Sequence, residues 1–186
     1  MQTSPLSIPG TYLIEPRVHP DDRGYFFELY HKSRYESEIK DLPPFVQDNL
    51  SKSTKGCLRG LHYQLSPHAQ GKLLSVLDGE IFDAWVDIRP ESPTFGHWDS
   101  VILSAENAKQ VYLPPGIAHG FYTLSETAIL TYKCTAHYHP ESDRSILWSD
   151  PKLGIDWPLQ GQTPLLSQKD IDAAPFDPKR RYYEEL

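Results

Sequence analysis

The sequence predicts an all-β protein with short helices at its edge, and three observations carry that reading. Seventeen prolines and eleven glycines in 186 residues leave little room for long helices. Short runs rich in Val, Ile, Leu, Tyr and Phe lie between them. The clearest run, Glu80 to Arg89, alternates with period two: Phe82, Ala84, Val86 and Ile88 form one apolar face, while Asp83, Trp85 and Asp87 share the other.

Taken in order, a weak helical pattern runs from Ser33 to Lys40. Strands are expected at Lys72 to Leu77, Glu80 to Arg89, Trp98 to Leu103, Gln110 to Leu113, Gly120 to Leu124 and Ala128 to Thr135. Gly79, Pro93-Thr94-Phe95-Gly96 and Pro114-Pro115-Gly116 break the chain between them. Strands so closely spaced pack as a sandwich or a closed barrel. Two carboxylates flanking Trp85 suit the lining of a polar cavity inside such a barrel, or else an exposed face with one aromatic. A second helical pattern, Ser167 to Ala174, opens with Ser167-x-x-Asp170 as a capping box. Both helices would be peripheral.

The length fits one domain, 1–186, with a core at about 12–170 and a C-terminal segment at 171–186. A formal charge of −7 argues against a nucleic-acid partner, which needs a broad basic surface. An anionic small molecule needs only a few local cations. Cys57 and Cys134 form no disulfide framework, so a reducing, cytoplasmic setting is expected. No run approaches membrane-spanning length.

Histidine gives or takes a proton near neutral pH without strong perturbation. Of the eight, His19, His31, His68 and His97 sit among polar or turn residues and read as surface groups. His62 lies in Gly56-Cys57-Leu58-Arg59-Gly60-Leu61-His62-Tyr63-Gln64 and His119 in Pro114-Pro115-Gly116-Ile117-Ala118-His119. These segments resemble the two halves of the cupin signature, G-x5-H-x-H and P-x-G-x-x-H, which implies a cupin-like jelly-roll β-barrel. In metal-binding cupins further ligands follow, but here Gln64 replaces the second histidine, and Gln70 and Lys72 stand where a glutamate is expected. Two imidazoles without an anionic ligand, beside an ammonium, suit a divalent ion poorly, so no metal and no cofactor are expected.

A longer series is more specific. Asp22-Arg23-Gly24, Gln47-Asp48-Asn49-x-Ser51-x-Ser53, Leu58-Arg59-Gly60-Leu61-His62-Tyr63-Gln64, Gln70-Gly71-Lys72-Leu73, Val86-Asp87-Ile88-Arg89, Ser92-Pro93-Thr94-Phe95-Gly96-x-Trp98 and Tyr132-Lys133-x-Thr135 resemble, in order, the dTDP-4-dehydrorhamnose 3,5-epimerase family, over about Tyr12 to Asp170. The resemblance implies an isomerase that inverts C3 and C5 of dTDP-4-keto-6-deoxyglucose, the carbons beside the ketone, to give dTDP-4-dehydro-L-rhamnose for dTDP-L-rhamnose and a cell-surface polysaccharide.

It implies His62 as base, Asp170 as the carboxylate orienting it, Tyr132 as proton donor and Lys72 as the charge that stabilises the enolate. On the sequence alone, Asp170 has a structural alternative as the capping-box residue, and Asp83 is a second candidate partner for His62. The resemblance also gives Arg23, Arg59, His119 and Lys169 to the diphosphate and Tyr138 to the thymine ring. Glu28, Gln47, Asp48 and Asn49 go to sugar, base or phosphate. Asp143 stands where members commonly carry a glutamate, and Ala136-His137-Tyr138-His139 departs from the usual second tyrosine. A homodimer is implied, in which Arg23 and Glu28 of one chain complete the other's site. Phe176 to Leu186 reads as a helix, a dimer contact or a loose tail. The competing readings are a single-centre epimerase, a metal-dependent cupin oxygenase and a non-catalytic sugar-nucleotide binding module.

Overall fold

A computed structural model describes residues 1–180 and Tyr182. It comprises strands β1 (Gln2–Pro5), β2 (Tyr12–Glu15), β3 (His19–Asp21), β4 (Gly24–Phe26), β5 (Gln47–Thr54), β6 (Leu58–Gln64), β7 (Lys72–Asp78), β8 (Glu80–Asp87), β9 (Trp98–Ser104), β10 (Gln110–Leu113), β11 (Ile117–Thr123), β12 (Thr127–Cys134) and β13 (Asp143–Ser145). Helix α1 covers Lys32–Glu38 and α2 covers Gln168–Ile171. One sheet runs β1-β2-β10-β7-β12-β5 and the other β13-β6-β11-β8-β9, with antiparallel neighbours, and β3 and β4 form a separate hairpin.

Period-two alternation sorts each strand between an interior and an outer covering. Leu74, Val76, Val111 and Leu130 of the first sheet meet Ile81, Trp85, Ile117 and Phe121 of the second to form the core between the sheets. Outside the first sheet, Tyr35 and Ile39 from α1 and its C-terminal end pack on Ile14, Leu73 and Tyr112. Outside the second, Leu153, Trp157, Phe176 and Tyr182 cover Ala84, Val86, Ala118 and Tyr122. Both faces of β8 are therefore buried. Trp85 looks into the interior, Ala84 and Val86 look outward under that covering, and Asp83, two residues from Trp85, faces inward with it. That face is therefore neither exposed nor part of a cavity lining: Asp83, Trp85 and Asp87 are fully buried, and Trp85 packs in the core between the sheets.

Two strands cross at van der Waals limits beside the histidines. Gly60 on β6 has φ of +127°, and a Cβ there would lie 2.5 Å from Gly120 Cα and 2.8 Å from His119 O. Both strain terms act on Gly60→Ala: backbone overpacking costs about 1–3 kcal/mol and the left-handed conformation about 1–3 kcal/mol. The variant is expected to lose about 2–6 kcal/mol and to melt about 5 °C or more below the parent in a thermal scan. An unchanged melting temperature would mean that the two strands do not cross this tightly.

Several boundaries differ from expectation. β11 begins at Ile117, directly after the Pro114-Pro115-Gly116 turn, rather than at Gly120. β8 ends at Asp87, whose carboxylate accepts from Arg89, Ser92 and Thr94 and turns the chain. The second helix is a single turn, because Ala174 pairs with Ile146 in a bridge instead of continuing it. β5 carried no apolar alternation, and its eight-residue register with β12 makes it a strand. Of the Phe176 to Leu186 segment, Phe176 and Tyr182 stack with ring centroids 5.3 Å apart on the outer core. Arg181 and residues 183–186 lie outside the described residues. No helix among the described residues is long and apolar enough to cross a membrane.

Candidate active site

Towards one end of the two sheets lies a cavity of about 350 Å³, lined by Gln47, Asn49, His62, Gln64, Lys72, Tyr132, Tyr138, Asp143 and Lys169, with Tyr63 and Gln70. A larger groove of about 560 Å³, between the β3–β4 hairpin and α1, holds Arg17, Glu28 and Arg34 but none of the four proposed acid–base groups. Chemistry, not volume, marks the smaller cavity.

His62 sits on β6, in register with His119 of β11 and Ser145 of β13. Its Nε2 lies 2.6 Å from Asp170 Oδ1, which also accepts from Gly60 N at 3.3 Å. Asp170 Oδ2 accepts from Ser167 Oγ at 2.6 Å, and Ser167 Oγ in turn caps α2 at Asp170 N. The two sequence readings of Asp170 are thus one arrangement: the capping box holds the carboxylate that holds the imidazole. Asp83, the other candidate partner, bonds His119 Nε2 at 2.7 Å instead.

With Nε2 turned to Asp170, the ring has Nδ1 as its basic nitrogen. Burial pushes the His62 pKa down, and Lys169 and Lys72 push the same way. The hydrogen bond and charge of Asp170 pull it up without cancelling the fall, so the ring is neutral at pH 7. For Asp170 itself burial works upward, but the bonds from His62, Ser167 and Gly60 outweigh it and hold the carboxyl below its ordinary range.

Across the interior, Tyr132 stands on β12 in register with Asn49 and Leu74. Its hydroxyl makes no hydrogen bond to a described residue, and burial first, then Cys134 and Asp143, raise its pKa, so it keeps its proton at neutral pH. Lys72 opens β7 and is 9% exposed. It forms no ion pair or hydrogen bond with a described residue, and burial pushes its ammonium below the ordinary lysine value.

Gln47 and Asn49 are joined by a 2.9 Å bond, and Gln47 Oε1 accepts from Tyr138 N at 2.8 Å. Tyr138 is 55% exposed, and its hydroxyl donates to Asp143 Oδ2 at 3.1 Å, an oxygen also bonded by Lys169. Gln64 was legible only as a missing metal ligand. Its amide donates to His68 O at 2.6 Å and accepts from His139 N at 2.9 Å, anchoring the loop that carries Tyr138. On the same loop His139 stacks on His68 with centroids 3.7 Å apart, so His68 is a packed group rather than a free surface one.

Other predicted site residues lie apart. Arg59 bonds Ser53 Oγ and Lys52 O, although its charge reaches Tyr132. Asp48 is exposed and paired with Lys133 at 2.8 Å. His119 is buried against Asp83. Arg23 extends from the hairpin with its side chain 89% exposed and paired to Asp21, and Glu28 pairs with Arg34. Among the described residues no three His, Cys, Asp or Glu side chains gather as metal ligands. His62 and His119 each turn Nε2 to a carboxylate.

A neutral imidazole braced by a carboxylate shares its cavity with a protonated phenol and a buried ammonium, which equips a cupin-like fold for proton transfer in an isomerase. Comparison with known proteins makes the assignment particular. The profile of the dTDP-4-dehydrorhamnose 3,5-epimerase family matches residues 5–177. The dTDP-4-dehydrorhamnose 3,5-epimerase of Salmonella typhimurium is 53% identical over 92% of this chain and 93% of its own. That of Pseudomonas aeruginosa is 52% identical over 95% and 96%. Among solved structures, the dTDP-6-deoxy-D-glucose-3,5-epimerase of Legionella pneumophila in complex with dTDP-4-keto-L-rhamnose superimposes with a TM-score of 0.92 at 49% identity, covering 100% of this chain and 98% of that one. A 3'-monoepimerase of Streptomyces bikiniensis in complex with dTDP-quinovose gives 0.84 at 39% identity, over 92% and 86%. The chain belongs to the dTDP-4-dehydrorhamnose 3,5-epimerase family.

Proposed function

We propose that this protein inverts C3 and C5 of dTDP-4-dehydro-6-deoxy-D-glucose to give dTDP-4-dehydro-L-rhamnose, in dTDP-L-rhamnose biosynthesis. The observation that carries the proposal is the braced imidazole of His62 lining the same cavity as Tyr132 and Lys72. His62 takes the proton from the carbon beside the ketone, and the electron pair moves onto the ketone oxygen, where the Lys72 ammonium stabilises the enolate. Tyr132 delivers its phenolic proton to the other face of the same carbon, inverting it. Solvent then takes the proton from His62 and restores the one on Tyr132, and the cycle repeats at the second carbon.

For the nucleotide, Tyr138 offers an exposed ring to the base, while Gln47, Asn49 and Lys169 line the route to it. Asp143, one methylene shorter than the glutamate common in the family, is held by Lys169 and Tyr138 and would reach substrate through water. Arg23 and Glu28 do not line the cavity of their own chain and pair with Asp21 and Arg34 instead, which supports a homodimer in which each hairpin completes the partner's site. Tyr25 and Phe26 on that hairpin, 59% and 68% exposed, would be covered there. The free Cys57 and Cys134 suit a cytoplasmic setting.

The fold neighbour that is a 3'-monoepimerase favours one second reading, inversion at a single centre. Incubation with dTDP-4-keto-6-deoxyglucose in deuterated water, read by mass spectrometry and proton NMR, separates the two. Label at both C3 and C5 is expected. Label at one carbon leaves a single-centre enzyme, and no label from folded protein would sink the proton-transfer reading.

A further inference from the structure

Four carboxylates stand in or beside the interior, and three are saturated. Asp170 serves His62, Ser167 and Gly60; Asp87 serves Arg89, Ser92 and Thr94; Asp143 serves Lys169 and Tyr138. Asp83 differs. It is fully buried, its Oδ1 is taken by His119, and its Oδ2 is buried with no hydrogen-bond partner among the described residues. A buried carboxylate oxygen left unpaired is costly, and its persistence calls for a nearby positive charge.

Lys72 is the complementary group, a buried ammonium without an ion pair among the described residues. It lies two residues from Leu74 on β7, and Asp83 lies two residues from Trp85 on β8. Leu74 and Trp85 belong to the core between the sheets, so the two side chains enter the same interior from opposite sheets.

We infer that Asp83 is a positioning residue for the reaction: its free oxygen supplies the counter-charge that keeps Lys72 protonated, and His119 holds the carboxylate in place. The inference rests on the reading of Lys72 as the group that stabilises the enolate. Asp143 and Asp83 both favour the charged form of Lys72, but Asp143 is engaged by Lys169 and Tyr138, which leaves Asp83 as the carboxylate with a free buried oxygen. Cys134 on β12 is pushed up by burial and stays a neutral thiol, so it brings no charge at neutral pH. Asp143 on β13 is offset by Lys169 of α2, which itself opposes the ammonium. Tyr132 and His62 are neutral in the resting site.

The test follows the Lys72 side-chain amine by NMR titration in the full-length protein and in Asp83→Asn, with the signal assigned from Lys72→Met. The amide can keep a bond to His119 while removing the charge. The Lys72 midpoint is expected to fall by about one pH unit or more. The basic limb of the kcat profile should fall with it, giving roughly tenfold lower kcat at pH values above the parent's Lys72 midpoint with KM little changed. Asp83→Ser serves as the second uncharged variant if the amide does not fold. A Lys72 midpoint that stays in place overturns the inference, whatever happens to the rate. A midpoint that falls while kcat and its basic limb stay unchanged overturns instead the role of Lys72 on the substrate, and Asp83 then positions nothing catalytic.

Discussion

Replacing His62 with alanine is expected to lower kcat by roughly 10³-fold or more, because a positioned general base contributes about 10²–10⁴-fold and no other neutral imidazole lines the cavity among the described residues. Deuterium exchange at C3 and C5 should fall by the same factor, since exchange requires only proton removal. The pH dependence adds a sharper test. His62 works only when unprotonated, and burial places its pKa below the ordinary 6.5. The acid limb of kcat/KM therefore lies below pH 6.5, and the rate is flat above it until Lys72 or Tyr132 begins to titrate. In Asp170→Asn the carboxylate no longer pulls the imidazole upward, so the acid limb should move further down while the plateau drops. Full turnover in His62→Ala, with deuterium still entering both carbons, would remove His62 from the mechanism.

Tyr132→Phe should separate two events that the parent enzyme couples. The base and the ammonium remain, so the carbon–hydrogen bond still breaks and the enolate still forms. Without a donor on the other face, the proton returns from His62 to the face it left. Deuterium is thus expected to enter beside the ketone with retention, while inversion falls by about 10²-fold or more. The comparison of label by mass with configuration by proton NMR in one sample reads both. Inversion at the parental rate would mean that water or another hydroxyl delivers the second proton. The phenol is suited to the role because burial keeps it protonated at neutral pH.

Apolar alternation made β7 to β10 and β12 legible to within a residue or two, because each has a face packed in a core. β5 was hidden for the opposite reason. Gln47 and Asn49, on its inner face, line a cavity with polar walls rather than a core, and Leu50 points outward at 65% exposure, so the strand is written in polar residues. The short strands β2 and β13 owe their form to pairing with the distant β10 and β6, and β1, β3 and β4, at three or four residues, are too short to show an alternation.

The candidate acid–base residues could be named from sequence only through a family resemblance. Neither periodicity nor spacing links His62 to a carboxylate 108 positions away on a one-turn helix. Asp83 was legible as an inward-facing charge on the clearest strand, and its neighbour was not. That His119, rather than His62, takes it depends on the register of β8 with β11, which no local pattern encodes.

Gln64 also bears on whether this site could be turned to metal binding. A histidine at that one position would not open a route to metal chemistry. The side chain that arrives as a ligand also removes the anchor of the 137–139 loop, and with it the seat of Tyr138. The two other imidazoles would still hold their Nε2 atoms against Asp170 and Asp83. Metal binding is opposed here by several interlocking attachments, each of which would have to be undone before an ion gained a foothold.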